Sequence, residues 1–219
     1  MAALPMFPLE SVVLPGEQLP LRVFEPRYRR LLADCLAADR RFGTVLIEAG
    51  REVGGGERRC DVGVVVTITG HRKLGLGQQA VRGTAGQRIR VTRWLPDDPY
   101  PRAEVEVWPG QPGEPVRDSA IGALEERLLA LYRRLSGQPQ VAVPRDVLFG
   151  PADAAVPQRL YTLAARIPIG PADRYAVLAA PSLAARLAAL VEAVDTLTAR
   201  VQFQSRDRKS TRLNSSHIT

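Results

Sequence analysis

The sequence has few of the residues that most catalytic and metal sites require. Its 219 residues include two cysteines, two histidines and two lysines. Cys35 and Cys60 alone can form neither a cysteine zinc site nor a disulfide scaffold. No stretch reaches the roughly 20 apolar residues of a membrane helix, and the N-terminus lacks the basic segment of a secretory signal. We expect a soluble cytoplasmic protein that binds no cofactor, no metal and no membrane.

Nucleotide-binding and hydrolase motifs are also missing. The sequence contains neither a phosphate-binding loop of the form G-x-x-x-x-G-K-[ST] nor a G-x-S-x-G nucleophile turn. The run GLGQQA at residues 75–80 matches G-x-G-x-x-A, but a dinucleotide site needs a helix directly after the glycines. Gly83, Gly86 and a strand pattern follow instead, which favours a hairpin turn.

Reactive side chains lack recognisable partners. Arg72 and Lys73 beside His71 favour a solvated turn. Cys60 follows two arginines whose charge would lower the pKa of its thiol; a reactive thiol is one hypothesis, and an ordinary cysteine at the start of a strand is the alternative. Cys35 is expected in the core. We predict no catalytic residue; a hydrolase or redox enzyme based on Cys60 or His71 is a third hypothesis, and neither residue has a paired base in the sequence.

Three pairs of carboxylates occur, and none has the sequence context of an acid–base pair. They are Asp97 with Asp98, Glu104 with Glu106, and Glu125 with Glu126. The first pair lies in a predicted turn, the second on the outer face of a strand and the third on the polar side of a helix. We expect all of them to face solvent.

The net charge of +7 is unevenly distributed along the chain. Residues 204–219 contain four basic residues and one acidic residue, which leaves +4 for the rest of the chain. This segment also holds the only asparagine and four of the eight serines. We expect a non-native or disordered tail outside the fold; a native basic tail that binds nucleic acid is the alternative. A charge of +4 over the rest of the chain does not indicate a basic binding surface.

Residues 1–112 are predicted to form a strand-rich domain. Alternating or β-branched runs, typical of antiparallel strands, are separated by glycine and proline. In the fourth run, Ile89 and Val91 share one face and Arg88 and Arg90 the other. The runs are 19–24, 44–49, 62–69, 87–94 and 103–108.

One helix is predicted within this strand-rich domain. Pro26 suits a first helical position. Apolar side chains then follow at the spacing of one helix face, and they are Tyr28, Leu31, Leu32, Cys35 and Leu36.

Residues 113–203 are predicted to form a helical bundle. A proline- and glycine-rich segment ends the strand pattern, and apolar residues then recur three or four apart. Each long helix presents a narrow apolar seam that is too short for a free coiled coil, so we expect the seams to pack together. The predicted helices are 121–135, 157–167, 172–178 and 183–201, the last with Ser182 as its N-cap.

Three stretches resemble a known family. They are LPMFPLESVVLPG and LPLRVFEPRYR within residues 4–29, RFGTVLI at 41–47, and CDVGVVVTI and GTAGQRIRV within 60–91. Together they resemble the N-terminal substrate-binding domain of Lon proteases over about the first 108 residues. Residues 157–201 are similar to the family's helical subdomain. The resemblance implies an α+β fold, with a strand-rich, PUA-like pseudo-barrel followed by an α-helical bundle.

The resemblance implies binding rather than catalysis. Complete Lon proteases add an ATPase and a Ser-Lys peptidase after this domain, and neither motif is present, so we expect a stand-alone, non-enzymatic adaptor in protein quality control. Its partner would be an unfolded or tagged polypeptide, or a partner protein, and the oligomeric state stays open. Glu25, Arg27 and Tyr28 are the candidate polypeptide-binding residues; local capping and packing are the alternative for them.

A PUA-like RNA-binding module is the second function considered. It depends on analogy with the fold and on the arginines of the strand at 88–93. Likeness of fold alone does not establish a function. This analogy therefore does not lead us to expect a nucleic-acid partner.

Overall fold

The structure, a computed structural model, describes residues 3–50, 57–136, 145–151 and 153–215. It has the α+β fold that the sequence predicts. The elements in chain order are β1 (Leu4–Pro5), β2 (Gln18–Val23), α1 (Pro26–Ala37), β3 (Arg41–Ala49), β4 (Arg58–Gly75), β5 (Gln78–Leu95), β6 (Arg102–Val107), α2 (Asp118–Ser136), α3 (Arg145–Phe149), α4 (Val156–Arg166), α5 (Pro171–Ala179) and α6 (Leu183–Ser215).

The chain forms two compact units. The strand-rich unit comprises Met1–Pro112 and Gly170–Ser182, and the helical unit comprises Gly113–Ile169 and Leu183–Thr219. The predicted division places all of 113–203 in one helical part, whereas α5 lies in the strand-rich unit.

The strand-rich unit contains one antiparallel sheet. Its strands are ordered β1, β6, β5, β4, β3, and β2 also pairs with β5. β4 and β5 each have 18 residues and form a long hairpin. The first half of β5 therefore lies between β4 and β2, and its second half lies between β4 and β6. The hairpin turn contains Gly75, Leu76 and Gly77, all with positive φ, which confirms the predicted turn.

Apolar side chains from the strands and from α1 form the core of this unit. The predicted helix is confirmed, because α1 begins at Pro26 and buries one face. Cys35 lies in the core, as predicted. Buried members include Val64, Val66 and Ile68 of β4, Ile89 and Val91 of β5, and Tyr28, Leu31, Leu32 and Cys35 of α1.

The sequence places Arg88 on the side of β5 opposite Ile89 and Val91, and the expectation that a half-buried strand leaves that side in solvent is wrong at Arg88. The residue is only 5% exposed. Its Nη1 donates hydrogen bonds to the carbonyl oxygens of Leu178 (2.6 Å) and Ala180 (2.8 Å). Its guanidinium lies 4.3 Å from the ring centre of Trp108. These carbonyls lie about 90 residues further along the chain, so the local alternation gives no sign of them.

The segment Gly170–Ser182 is held to the sheet by polar contacts. Arg174 donates to both carboxylate oxygens of Glu17, at 2.6 and 2.7 Å, and to the carbonyl oxygen of Val12 at 3.1 Å. The hydroxyl of Tyr175 accepts a hydrogen bond from the Val62 N–H at 3.4 Å. Helical periodicity alone assigns the segment to the helical part, because periodicity carries no sign of these long-range contacts.

The helical unit packs α2, α4 and α6 together. The predicted seam of α2 is buried at each of its described positions, and that of α6 is buried at its centre. The short helix α3 was not predicted from the sequence. Among the described helices, we find none that combines the length and the hydropathy of a membrane span. The buried seam residues include Ile121, Leu124, Leu128 and Leu131 of α2 and Leu190 and Val194 of α6.

The last helix extends beyond its predicted end. α6 continues to Ser215, so the structure has helix over much of the segment whose composition predicts a non-native or disordered tail. Residues 216–219 of that predicted tail lie outside the described residues.

Glu125 is predicted to face solvent, and that prediction is also wrong. The residue is 2% exposed. Its carboxylate accepts a hydrogen bond from Arg159 at 3.3 Å and also pairs with Arg145. Arg159 donates in addition to Asp118 at 2.8 Å. Because Arg159 belongs to α4, which packs on α2, the side of α2 with polar residues is partly covered.

Candidate functional site

The predicted site residues lie where β2 ends and α1 begins. Glu25 has extended backbone angles (φ −65°, ψ 137°) at the N-cap position, and Pro26 is the first helical residue. Proline suits this place because the first N–H groups of a helix have no partner within it. The Glu25 carbonyl oxygen accepts a hydrogen bond from the Arg29 N–H at 3.0 Å. The Glu-Pro-Arg-Tyr sequence therefore fixes the change from strand to helix.

Glu25 and Arg27 form an ion pair at the surface of this turn. Nε of Arg27 donates to Oε2 of Glu25 at 3.1 Å, and each side chain is 17% exposed. The Arg27 guanidinium also lies 4.4 Å from the ring centre of Tyr28, which is a cation–π contact. The two charges offset each other, and both remain partly accessible.

Tyr28 is a core residue. It is 2% exposed, and its ring stacks on Phe7 with 4.0 Å between the ring centres. Burial raises the pKa of the Tyr28 hydroxyl well above its usual value, while the charge of Arg27 lowers it and that of Glu57 raises it. In the part of the chain that the structure describes, the hydroxyl has no hydrogen-bond partner. The structure thus gives Tyr28 no direct access to a bound polypeptide.

A buried carboxylate near Tyr28 belongs to a polar cluster that sequence reasoning missed. The Glu57 side chain is fully buried, and its Oε1 accepts a hydrogen bond from Nε of Arg59 at 2.9 Å. Arg59 also binds both carboxylate oxygens of Asp97, at 2.6 and 3.1 Å, and lies 4.8 Å from the ring centre of Trp94. Asp97 therefore pairs with a residue 38 positions away in the chain. Of this cluster, the local sequence shows only the spacing of Glu57 and Arg59.

Exposed apolar side chains lie beside the turn. Phe24, between β2 and Glu25, is 53% exposed, and Leu74 and Leu76 at the end of the β4–β5 hairpin are exposed as well. Sequence reasoning did not select Phe24, although alternation along β2 is the signal: Val23 is buried, so the next side chain points outward.

The two residues considered for catalysis, Cys60 and His71, have ordinary structural partners. Burial raises the pKa of the Cys60 thiol, and a hydrogen bond with Tyr175 lowers it. The net direction is opposite to the one expected from the adjacent arginines, so the thiol is protonated at neutral pH. His71 is exposed on β4, with Nε2 2.6 Å from Oε1 of Gln79. Among the described residues, no cluster of three or more His, Cys, Asp or Glu side chains could hold a metal ion.

The helical unit has a groove of about 800 Å³ between α6 and the start of α2. Ala120, Leu187 and Val191 contribute apolar surface, and Glu114 and Arg117 contribute one charge of each sign. A concave, largely apolar surface of this kind can accept a small ligand or a short apolar segment.

Comparison with known proteins gives a consistent result. The family model described as the ATP-dependent protease La (LON) substrate-binding domain matches residues 3–196. The crystal structure of a Lon N-terminal domain protein from Xanthomonas campestris is 27% identical with a TM-score of 0.65, and the match covers 88% of this chain and 98% of that one. The N-terminal domain of a Mycobacterium avium complex Lon protease also has a TM-score of 0.65, at 16% identity, over 89% of this chain and 98% of that one. At that identity the second likeness shows the fold alone. A search of curated proteins found no match.

Proposed function

The chain belongs to the family of Lon substrate-binding domains, and on this premise we propose that it binds polypeptides that are unfolded or tagged. The family match over residues 3–196 carries the proposal, because the family is described by the binding of a substrate. We further propose that the chain acts as a non-enzymatic adaptor in protein quality control in the cytoplasm.

The exposed apolar side chains of the strand-rich unit support this role. A surface that holds an extended chain needs apolar contacts with polar groups around them. Phe24 supplies such a contact directly beside the Glu25–Arg27 ion pair.

We propose different roles for the three residues that the sequence selects. Glu25 and Arg27 position Phe24 through their ion pair and offer a partly accessible charge of each sign. Tyr28 supports the turn from below through its stacking on Phe7. Phe24 is then the residue of this turn that contacts the polypeptide.

Polypeptide is favoured over RNA as the partner because Arg88, Arg90 and Arg93, the arginines of β5 that suggested RNA binding, are engaged within the unit. Arg88 binds two carbonyl oxygens, Arg90 lies 4.0 Å from the Trp108 ring centre, and Arg93 pairs with Glu104. The second half of β5 thus differs from the open row of cations that would contact successive phosphates.

Fluorescence anisotropy tests the proposed function. The purified chain is titrated into a labelled, permanently unfolded model polypeptide, with the folded form of the same polypeptide as the control. We expect saturable binding of the unfolded form only. No binding of several unfolded polypeptides at high micromolar concentration would contradict the proposal, as would ATP hydrolysis or peptide cleavage by a sample free of contaminating enzymes.

A further inference from the structure

We propose that the outer face of β2, β5 and β4 binds acidic polypeptide segments that also contain an aromatic or aliphatic side chain. This inference rests on the proposed function and adds a location and a chemical class of substrate. We call this surface the arginine face and define it by Arg22, Arg72, Arg82 and Pro20, with Phe24 and Leu74 at its edge.

The strand register places the three arginines on one side of the sheet. Arg22 of β2 and Arg72 of β4 both lie opposite Ala80 of β5. Arg82, two residues further along β5, lies opposite Pro20. Directly opposite residues of antiparallel strands share a face, and so do residues two apart on one strand.

Burial confirms which side of β2 and β5 is the outer one. The alternate residues Leu19, Val23 and Val81 are buried, whereas Arg22 and Arg82 are exposed. The arginines thus extend away from the core of the unit.

The charge of this face is not offset by acidic side chains. Residues 67–84 contain no aspartate or glutamate. The nearest carboxylates along β2 are Glu17, which is bound by Arg174, and Glu25, which is paired with Arg27. Among the described residues, Arg22, Arg72 and Arg82 form no ion pair.

The spacing of the arginines suits carboxylates on an extended peptide. Arg22 and Arg72 are two strand spacings apart, about 10 Å, and Arg82 lies about 8 Å from each along the diagonals. Alternate side chains of an extended peptide are about 7 Å apart. Two acidic residues at alternate positions can therefore each reach an arginine, which offers a planar fork for carboxylate.

Exposed apolar side chains beside these arginines, at the ends of β2 and β4, favour a polypeptide over a phosphate backbone. Phe24 and Leu74 are 53% and 38% exposed, and both follow an arginine of this face by two residues. A peptide with a phenylalanine or leucine beside its acidic residues can cover these side chains while it pairs with the arginines. A phosphate backbone would leave them in water.

The test uses the full chain and three labelled probes in fluorescence anisotropy. The first is a peptide with glutamates at alternate positions around a Phe-Leu pair, the second is the same peptide with glutamine for each glutamate, and the third is a single-stranded RNA of the same charge. We expect the acidic peptide to bind at least about tenfold more tightly than the glutamine peptide, with an affinity that falls as salt rises.

The decisive variant is Arg22→Gln/Arg72→Gln/Arg82→Gln. Its matched control, Arg134→Gln/Arg166→Gln/Arg200→Gln, removes three exposed charges from the helical unit. We expect about a tenfold loss of acidic-peptide affinity in the first variant and less than about twofold in the second. Unchanged circular dichroism and thermal unfolding show that each variant is folded.

The outcomes separate this inference from the proposed function. If the first variant retains full affinity, or if both variants lose the same affinity, the arginine face is wrong and the proposed function stands. If RNA binds more tightly than the acidic peptide and loses affinity in the first variant, the face is a nucleic-acid surface and the inference is wrong. If wild type binds no polypeptide of either composition, both proposals fail.

Discussion

Each unit of the chain buries at least one arginine, and Arg88 and Arg159 have different kinds of partner. In the strand-rich unit, Arg88 donates to the carbonyl oxygens of Leu178 and Ala180 at the end of α5. In the helical unit, Arg159 pairs with the carboxylates of Asp118 and Glu125. Arg88 therefore secures a returning segment by its backbone, whereas Arg159 links two helices through side chains.

The difference indicates where each unit is sensitive to mutation. The carbonyl groups that accept from Arg88 belong to the backbone, so no substitution removes them. Loss of Arg88 therefore leaves them buried without a charged donor. The carboxylates that pair with Arg159 are side chains, and one can partly compensate for another. We expect single substitutions to cost more in the strand-rich unit than in the helical unit.

The largest effect is expected for Arg88→Met. The change removes the donor from two carbonyl oxygens, so we expect a loss of about 4 kcal/mol in the free energy of unfolding. Urea denaturation followed by tryptophan fluorescence measures it, because Trp94 and Trp108 both lie in the strand-rich unit. As a control, Arg93→Gln at the exposed pair with Glu104 should not move the midpoint. A loss for Arg88→Met no larger than that of the control would contradict the contrast.

Two glycines extend the contrast between the units. A Cβ on Gly63 would lie 2.0 Å from the Thr44 carbonyl oxygen, whereas one on Gly122 of α2 meets nothing within 4 Å. We expect Gly63→Ala to cost at least about 3 kcal/mol and Gly122→Ala to stabilise the chain by about 1 kcal/mol, because alanine favours helix. Chemical denaturation followed by circular dichroism checks both signs, and equal effects would refute the difference.

A smaller loss is expected for Glu125→Gln. The substitution removes the charge that faces Arg159 and Arg145, but Asp118 remains to pair with Arg159. We expect a loss of about 2 kcal/mol. The adjacent Glu126, which is exposed, is the matched control, and Glu126→Gln should change stability by less than about 0.5 kcal/mol. If the denaturation curves of the two variants coincide, burial of Glu125 has no energetic consequence and the prediction is wrong.

The smallest effect concerns tyrosine hydroxyls in the strand-rich unit. The Tyr28 hydroxyl is buried without a partner among the described residues, whereas that of Tyr100 donates to Asp34 at 2.8 Å. We expect Tyr28→Phe to be neutral or stabilising by up to about 1 kcal/mol, and Tyr100→Phe to cost about 1 kcal/mol. Tyr28→Phe should also leave the affinity for unfolded polypeptide unchanged. A clear loss of affinity would instead assign the hydroxyl to the binding surface.

The parts of the fold that follow from local pattern were predictable. The start of α1 at Pro26 and the turn at residues 75–77 follow from proline and glycine geometry, and the seams of α2 and α6 follow from apolar spacing. In contrast, Arg88 and Glu125 lie at positions that alternation or helical spacing leaves polar, and each is covered by a segment distant in sequence. A pattern of neighbours cannot reveal such a covering segment.

The candidate site shows the same division. The Glu-Pro-Arg-Tyr motif identified the turn, but its spacing could not distinguish the accessible Glu25 and Arg27 from the buried Tyr28. The arginine face was equally hidden, because Arg22, Arg72 and Arg82 lie far apart in the chain and only strand register brings them together.

The sequence by itself determined the α+β class, the family resemblance and the ends of the elements that proline, glycine and apolar spacing define, because these depend on interactions between near neighbours. The tertiary structure alone decided which charged side chains are buried and which are grouped on a surface. It also decided that α5 returns to the sheet. Those outcomes depend on strand register and on contacts between distant segments, and no local pattern records them.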